Sequence, residues 1–233
     1  LNGGITDLVI QTNGQILVGG NFQTYGPSVG GSAVQSLIRL AADGTYDPDF
    51  TASYAPADAF GTGIKDLALD SQQRLLVVSY HLGSSSPYGV FRLLPSGARD
   101  ATFAFTETIN NLHTAILPVA GDKILVGGNF TTYSSFFRLN ENGSRDTAYT
   151  TGLGNSFGAS SANLRALASD ATGRVWIGGG FTTFKGSTVN RLLVLQADAL
   201  TPQTINFPAL ADRATNAAPF QLAATADSGL TVA

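Results

Sequence analysis

Apolar positions fall into short runs that recur in the same order four times. The clearest run is Gln15-Ile16-Leu17-Val18-Gly19-Gly20-Asn21-Phe22. It returns as Lys123-Ile124-Leu125-Val126-Gly127-Gly128-Asn129-Phe130 and as Arg174-Val175-Trp176-Ile177-Gly178-Gly179-Gly180-Phe181. A degenerate copy is Arg74-Leu75-Leu76-Val77-Val78-Ser79-Tyr80-His81. A first apolar run precedes each copy: Ile5 to Ile10, Ile64 to Leu69, Leu112 to Leu117 and Leu164 to Ala168. A short turn such as Thr12-Asn13-Gly14 or Ala171-Thr172-Gly173 joins the two runs, which predicts a hairpin. A third run follows a Gly/Ser/Thr/Tyr-rich stretch: Ser36 to Leu40, Val90 to Leu93, Phe136 to Leu139 and Leu193 to Leu195. Then come a second turn (Asp43-Gly44, Ser96-Gly97, Asn142-Gly143) and a closing aromatic, Phe50, Phe103, Tyr149 or Phe207.

Each unit therefore reads as three or four short strands, and no stretch shows helical periodicity. Leu, Ile and Val run continuously through the strands, as expected when both sheet faces are covered. Repeats of 40 to 50 residues with this content predict an all-β fold, a β-propeller of four antiparallel blades. The blades are expected at about 1–53, 54–105, 106–152 and 153–207. The glycine pairs are expected where neighbouring blades approach closely. A β-solenoid is the competing architecture, but its coils are about half this length.

The segments Arg39 to Phe50 and Arg138 to Tyr149, each following the Ile-Leu-Val-Gly-Gly-Asn-Phe motif, resemble the delta-60 repeat of bacterial β-propellers. The resemblance covers residues 1 to about 207 and is weakest in the second unit. It implies a place in a large secreted or surface protein of Bacteroidota, exported by the type IX route, and implies no enzymatic activity. The tail, residues 208–233, is similar to the opening strands of an Ig-like module, which is the preferred reading. A competing reading makes it the first hairpin of a fifth blade, because Phe220-Gln221-Leu222 and Ser228-Gly229 sit roughly where Leu164-Arg165-Ala166 and Thr172-Gly173 sit. Four units form either a small ring or part of a larger one. With no Met at position 1, the chain is expected to be a piece of a longer protein with further blades.

Composition narrows the function classes. Charged residues are 12% of the 233, against about 25% in an ordinary soluble domain. There is no Cys, so disulfides, thiol nucleophiles and Cys-ligated metals are excluded. The 13 Lys and Arg are outnumbered by 16 Asp and Glu, which argues against nucleic-acid binding. No apolar run is long enough to span a membrane, so no membrane insertion is expected.

Candidate chemistry is sparse. Arg39, Arg92 and Arg138 share one position in the third strand, and Asp47, Asp100 and Asp146 each follow eight residues later. In the fourth unit both are lost together, to Val194 and Pro202. Joint presence and joint loss predict a structural Arg–Asp pair, since a buried charge left alone is costly. The functional alternative is a ring of arginines that binds an anion. Asp43, Thr45, Asp47 and Asp49 place side-chain oxygens at alternate positions, as Ca²⁺ ligands do, but the sister loops lose the pattern, so a turn is expected. His81 and His113 are the only histidines, and no nucleophile elbow accompanies them. No catalytic residue, metal or cofactor is expected. Tyr25, Tyr88, Tyr133 and Phe184 follow the glycine motif and form a possible binding rim for sugars or peptides, or else pack between blades. The function expected is a non-catalytic interaction or structural module, in adhesion or surface assembly. The expected partners are other protein modules or surface glycans. A glycan- or peptide-binding propeller and a lyase or hydrolase at the channel mouth are the alternatives.

Overall fold

The computed structural model describes residues 1–26, 31–53, 63–80, 88–107, 114–128, 135–149, 157–158, 164–196, 205–206 and 225–226. The first unit contains β1 (Ile5–Ile10), β2 (Ile16–Gly20), a small hairpin of β3 (Thr24–Tyr25) and β4 (Ser32–Ala33), and β5 (Leu37–Leu40). A short helix, α1 (Pro48–Ser53), closes it. The second unit has β6 (Ile64–Leu69), β7 (Leu75–Tyr80) and β8 (Tyr88–Leu93). The third has β9 (Thr114–Val119), β10 (Lys123–Gly128) and β11 (Phe136–Leu139). The fourth has β12 (Phe157–Gly158), β13 (Leu164–Ser169), β14 (Arg174–Gly179), β15 (Thr183–Phe184), β16 (Ser187–Thr188) and β17 (Leu192–Gln196). Farther on, β18 (Ile205–Asn206) pairs with β19 (Thr225–Ala226).

Each unit is an antiparallel three-stranded meander: β1-β2-β5, β6-β7-β8, β9-β10-β11 and β13-β14-β17. Among the described residues, a fourth strand survives only as single bridges, Leu40 to Tyr46, Leu93 to Arg99 and Leu139 to Arg145. The four sheets stack face to face, and their first strands run side by side, β1 against β6, β6 against β9 and β9 against β13. The fold is thus all-β and propeller-like, with sheets that do not close into a ring among the described residues.

Alternation along the middle strand builds the seams between units. Leu75 and Val77 face the first unit, while Leu76 and Val78 face the third. The first seam joins Leu17, Leu37 and Phe50 to Ile64, Leu67, Leu75, Val77, Phe91 and Leu93. The second joins Leu76, Val78, Val90 and Phe103 to Ile116, Ile124, Val126, Phe137 and Leu139. The third joins Leu125, Phe136 and Tyr149 to Leu164, Val175 and Ile177. Each side chain buried this way contributes about 1.5–3 kcal/mol, so the seams hold the stack together. Gly19 is needed at the first seam, because a Cβ there would lie 2.7 Å from Ile64 Cγ2.

Two elements depart from the sequence expectation. The helix α1 lacks an apolar period but has a strong start: Asp47 Oδ1 accepts the N–H groups of Asp49 and Phe50, and Pro48 occupies the first turn. Strand β9 lies two residues later than its apolar run and includes Pro118. Pro118 is tolerated because, among the described residues, β9 pairs only with β10 and its other edge has no strand partner. Of the tail 208–233, only Thr225–Ala226 lies among the described residues.

Candidate functional site

The third strand and the turn after it place the repeated arginines. The chain leaves β5, β8 or β11, makes a tight turn through Gly44, Gly97 or Gly143, and returns beside the same strand. The N–H groups of Asp47, Asp100 and Asp146 donate to the carbonyls of Arg39, Arg92 and Arg138, which holds each pair of side chains in reach. Arg39 Nη2 lies 2.7 Å from Asp47 Oδ2, Arg92 Nε 2.7 Å from Asp100 Oδ2, and Arg138 Nη2 2.9 Å from Asp146 Oδ2. The closing aromatic supplies a third member. Phe50, Phe103 and Tyr149 lie under the guanidinium groups, with ring centroids 4.5, 4.8 and 4.0 Å away.

The guanidinium also reaches into the following unit. Arg39 Nη1 donates to the Pro95 carbonyl at 2.7 Å, and Arg92 Nη1 donates to the Glu141 carbonyl. Pro95 and Glu141 occupy equivalent places in the second turns of their units. The turns are themselves docked: the Ala104 N–H donates to the Asn142 carbonyl, and a Cβ on Gly97 would lie 2.8 Å from the Phe50 carbonyl oxygen. Burial works to raise the pKa of Asp100, but hydrogen bonds from Thr102 and Arg92 outweigh it and hold the carboxyl below its ordinary value. Asp47 and Asp146 are lowered in the same way, each with its arginine among the causes. In the fourth unit, Val194 stands at the arginine's register position, opposite Trp176.

A second constellation lines the space between the first strands. A cavity of about 550 Å³ is bordered by Asp7, Asp66, Ile116 and Arg165 among others. In the first, second and fourth units the register of the first strand shifts by a bulge, and the residue after it is Asp7, Asp66 or Ala166. Asp7 Oδ2 accepts the Leu67 N–H at 2.8 Å, and Asp66 Oδ2 accepts the Ile116 N–H at 2.7 Å. Each carboxyl thus ties its unit to the first strand of the next. Burial pushes Asp66 up, the Ile116 N–H opposes the shift, and the adjacent Asp7 carboxyl adds to it, leaving a pKa of about 7. Sequence reading missed this pair, although the match between Ile5-Thr6-Asp7-Leu8 and Ile64-Lys65-Asp66-Leu67 carried the signal.

The expected rim residues are placed as follows. Tyr25 is half-buried and stacks on Tyr46 with centroids 4.6 Å apart. Phe184 packs 5.1 Å from Phe157 at the third seam. The side chain of Tyr88, and Tyr133, His81 and His113 altogether, lie outside the described residues. In the first unit's acidic loop, Asp43 Oδ1 accepts from Thr45 N–H and hydroxyl, while Asp47 is turned to Arg39. Among the described residues, no group of three or more acidic or histidine side chains converges as a metal site, and no helix is long and apolar enough to cross a membrane.

Stacked antiparallel meanders, joined by a recurring side-chain motif, define a β-propeller repeat protein. Residues 11–50 and 122–149 match the family model described as a domain of unknown function (DUF5122) beta-propeller. No curated protein matches the sequence. Among solved structures, a candidate gluconolactonase from a structural-genomics consortium is similar at 18% identity with a TM-score of 0.51. That match covers 82% of this chain and 64% of the other. PorZ, a surface component of the type-IX secretion system of Porphyromonas gingivalis, is similar at 15% identity and TM-score 0.46, over 87% of this chain and 28% of its own. The extracellular domain of the one-component system BT4673 from B. thetaiotaomicron gives 17% identity and TM-score 0.28, over 82% and 29%. The chain thus spans less than two thirds of each of these proteins.

Proposed function

We propose that the chain is a non-catalytic interaction or structural module of a secreted or cell-surface bacterial protein, serving adhesion or surface assembly. The observation that carries this reading is the use made of Arg92. Its Nε, Nη1 and Nη2 donate to Asp100, the Glu141 carbonyl and Thr102, and the side chain is buried. Two of the three residues best suited to an anion-binding ring, Arg39 and Arg92, are spent on joining units. A stack fastened in this way holds a fixed surface for other protein modules or surface glycans. The resemblance of the repeats to those of secreted Bacteroidota proteins supports the location and the type IX route. Antibody labelling of intact cells that produce the natural protein tests it. Surface labelling together with loss of adhesion or surface assembly in a deletion strain is expected; confinement to the cytoplasm contradicts it.

A second reading, a hydrolase or lyase acting at the channel, draws on the Asp7–Asp66 pair. Two adjacent carboxyls beside a cavity, with the proton affinity of Asp66 raised by its burial, are an arrangement that acid–base chemistry uses. Turnover of a lactone or glycoside panel that disappears in Asp66→Asn, with the fold intact, favours this reading; no turnover by the unaltered chain sinks it.

A further inference from the structure

The cavity between the first strands is built from one repeated position. Asp7, Asp66, Ala115 and Ala166 each pair with the first glycine of the motif or its replacement, Gly19, Val78, Gly127 and Gly178. All four border the cavity of about 550 Å³. Two units thus supply carboxyls there, and the other two supply a methyl group, which leaves room beside them. Arg165 borders the same cavity from β13. Strand β9, which carries no charged residue, runs between β13 and the strand of Asp66. Among the described lining residues, Asp7, Asp66 and Arg165 are the charged ones. Ile116, Pro118 and Leu167 give the wall an apolar middle.

The carboxyls are hydrogen-bonded but not neutralised. Asp7 accepts the Leu8 N–H at Oδ1 and the Leu67 N–H at Oδ2, both at 2.8 Å, and Asp66 Oδ2 accepts the Ile116 N–H. Elsewhere a buried acid faces an arginine, as Asp70 faces Arg74 and Asp100 faces Arg92. Among the described residues, no such ion pair reaches Asp7, Asp66 or Arg165. Two carboxyls side by side cost free energy that a cation offsets. Fewer than three ligating side chains converge among the described residues, which serves a metal ion poorly. An ammonium, with its three N–H donors, is served well. Across the cavity, the guanidinium fork of Arg165 matches a carboxylate. We infer that the cavity binds a small zwitterion of short-peptide type, its ammonium at Asp7 and Asp66 and its carboxylate at Arg165. The volume suits such a ligand, since small-molecule sites run from about 300 to 1,000 Å³. The two carboxyls act here as binding groups, so the inference rests on neither functional reading above.

Isothermal titration of the full chain with the dipeptide alanylleucine near neutral pH tests it, with the N-acetylated and C-amidated dipeptides as controls. The free dipeptide is expected to bind, and either cap to weaken it about tenfold or more, as the loss of a charge-assisted contact requires. Asp66→Asn is expected to weaken the free dipeptide by a similar factor and to leave the N-acetylated form unchanged. Arg165→Gln is expected to do the same for the C-amidated form. Arg165 is exposed, so Arg165→Gln keeps the test alive if Asp66→Asn fails to fold, and thermal unfolding reports which variants are folded. Burial and the neighbouring Asp7 push the pKa of Asp66 up to about 7, and an ammonium beside it favours the charged form. Binding is therefore expected to release protons, read as a binding enthalpy that differs between buffers of different ionisation enthalpy. No heat at millimolar dipeptide, equal affinity for free and capped forms, or an enthalpy independent of buffer each overturns the inference. Turnover of lactones or glycosides is a separate readout, whose absence sinks the second functional reading and leaves the binding result untouched.

Discussion

Arg92 Nε donates to Asp100 Oδ2 at 2.7 Å, while Nη1 of the same guanidinium donates to the Glu141 carbonyl of the next unit. One side chain therefore closes its own turn and fastens its neighbour's. Arg92→Met leaves Asp100 buried without its cation and is expected to cost about 3–5 kcal/mol in urea unfolding. Adding Asp100→Asn is expected to recover part of that loss, because the two changes are not additive. The Arg39–Asp47 pair is more exposed, so Arg39→Met is expected to cost less, about 1–2 kcal/mol.

The second-turn glycines separate backbone strain from seam packing. Gly44, Gly97 and Gly143 share a left-handed conformation, with φ of +86°, +95° and +84°. A Cβ on Gly44 meets nothing, since no unit precedes it among the described residues. On Gly97 it would lie 2.8 Å from the Phe50 carbonyl oxygen, and on Gly143 2.9 Å from that of Ala104. Gly44→Ala is expected to cost about 1–2 kcal/mol for its backbone alone. Gly97→Ala and Gly143→Ala are expected to cost at least about 1 kcal/mol more, because neighbouring backbone must move. Equal losses at all three positions in thermal or urea unfolding contradict the docked-turn geometry.

Asp66 sets the pH dependence near neutrality. Its folded pKa is about 7, against an ordinary 3.8, so between those values the folded chain holds a proton that the unfolded chain has lost. Its contribution is fully present below the unfolded value and is lost as pH rises through about 7, by up to about 4 kcal/mol. Asp47, Asp100 and Asp146 act oppositely. Their lowered pKa values give stability above the ordinary carboxylate range, lost as pH falls through their depressed values. Unfolding free energy is thus expected to be highest at about pH 4 and to fall on either side. Asp66→Asn is expected to flatten the neutral limb and leave the acid limb in place.

Several strands were readable because one apolar run of the right length marks each of them. Ile5–Ile10, Ile64–Leu69 and Phe136–Leu139 span their apolar runs end to end. The Arg–Asp spacing was readable from joint loss in the fourth unit, but the reach of each arginine into the next unit was not. That contact goes to a backbone carbonyl, which leaves no trace in residue type. The helix α1 was hidden for a related reason, since Asp47 and Pro48 start it while its six residues are too few to show a period. Asp7 and Asp66 escaped notice because a bulge turns them between strands, where a simple alternation of faces does not place them.

The central claim is that the repeated arginine joins successive units rather than merely closing its own turn. Amide hydrogen exchange of Arg92→Met against the unaltered chain tests it most directly. The account predicts that protection falls in both units, in residues 94–103 of the second and in 136–146 of the third around the Glu141 carbonyl. Loss confined to residues 94–103, with the third unit as protected as before, contradicts it.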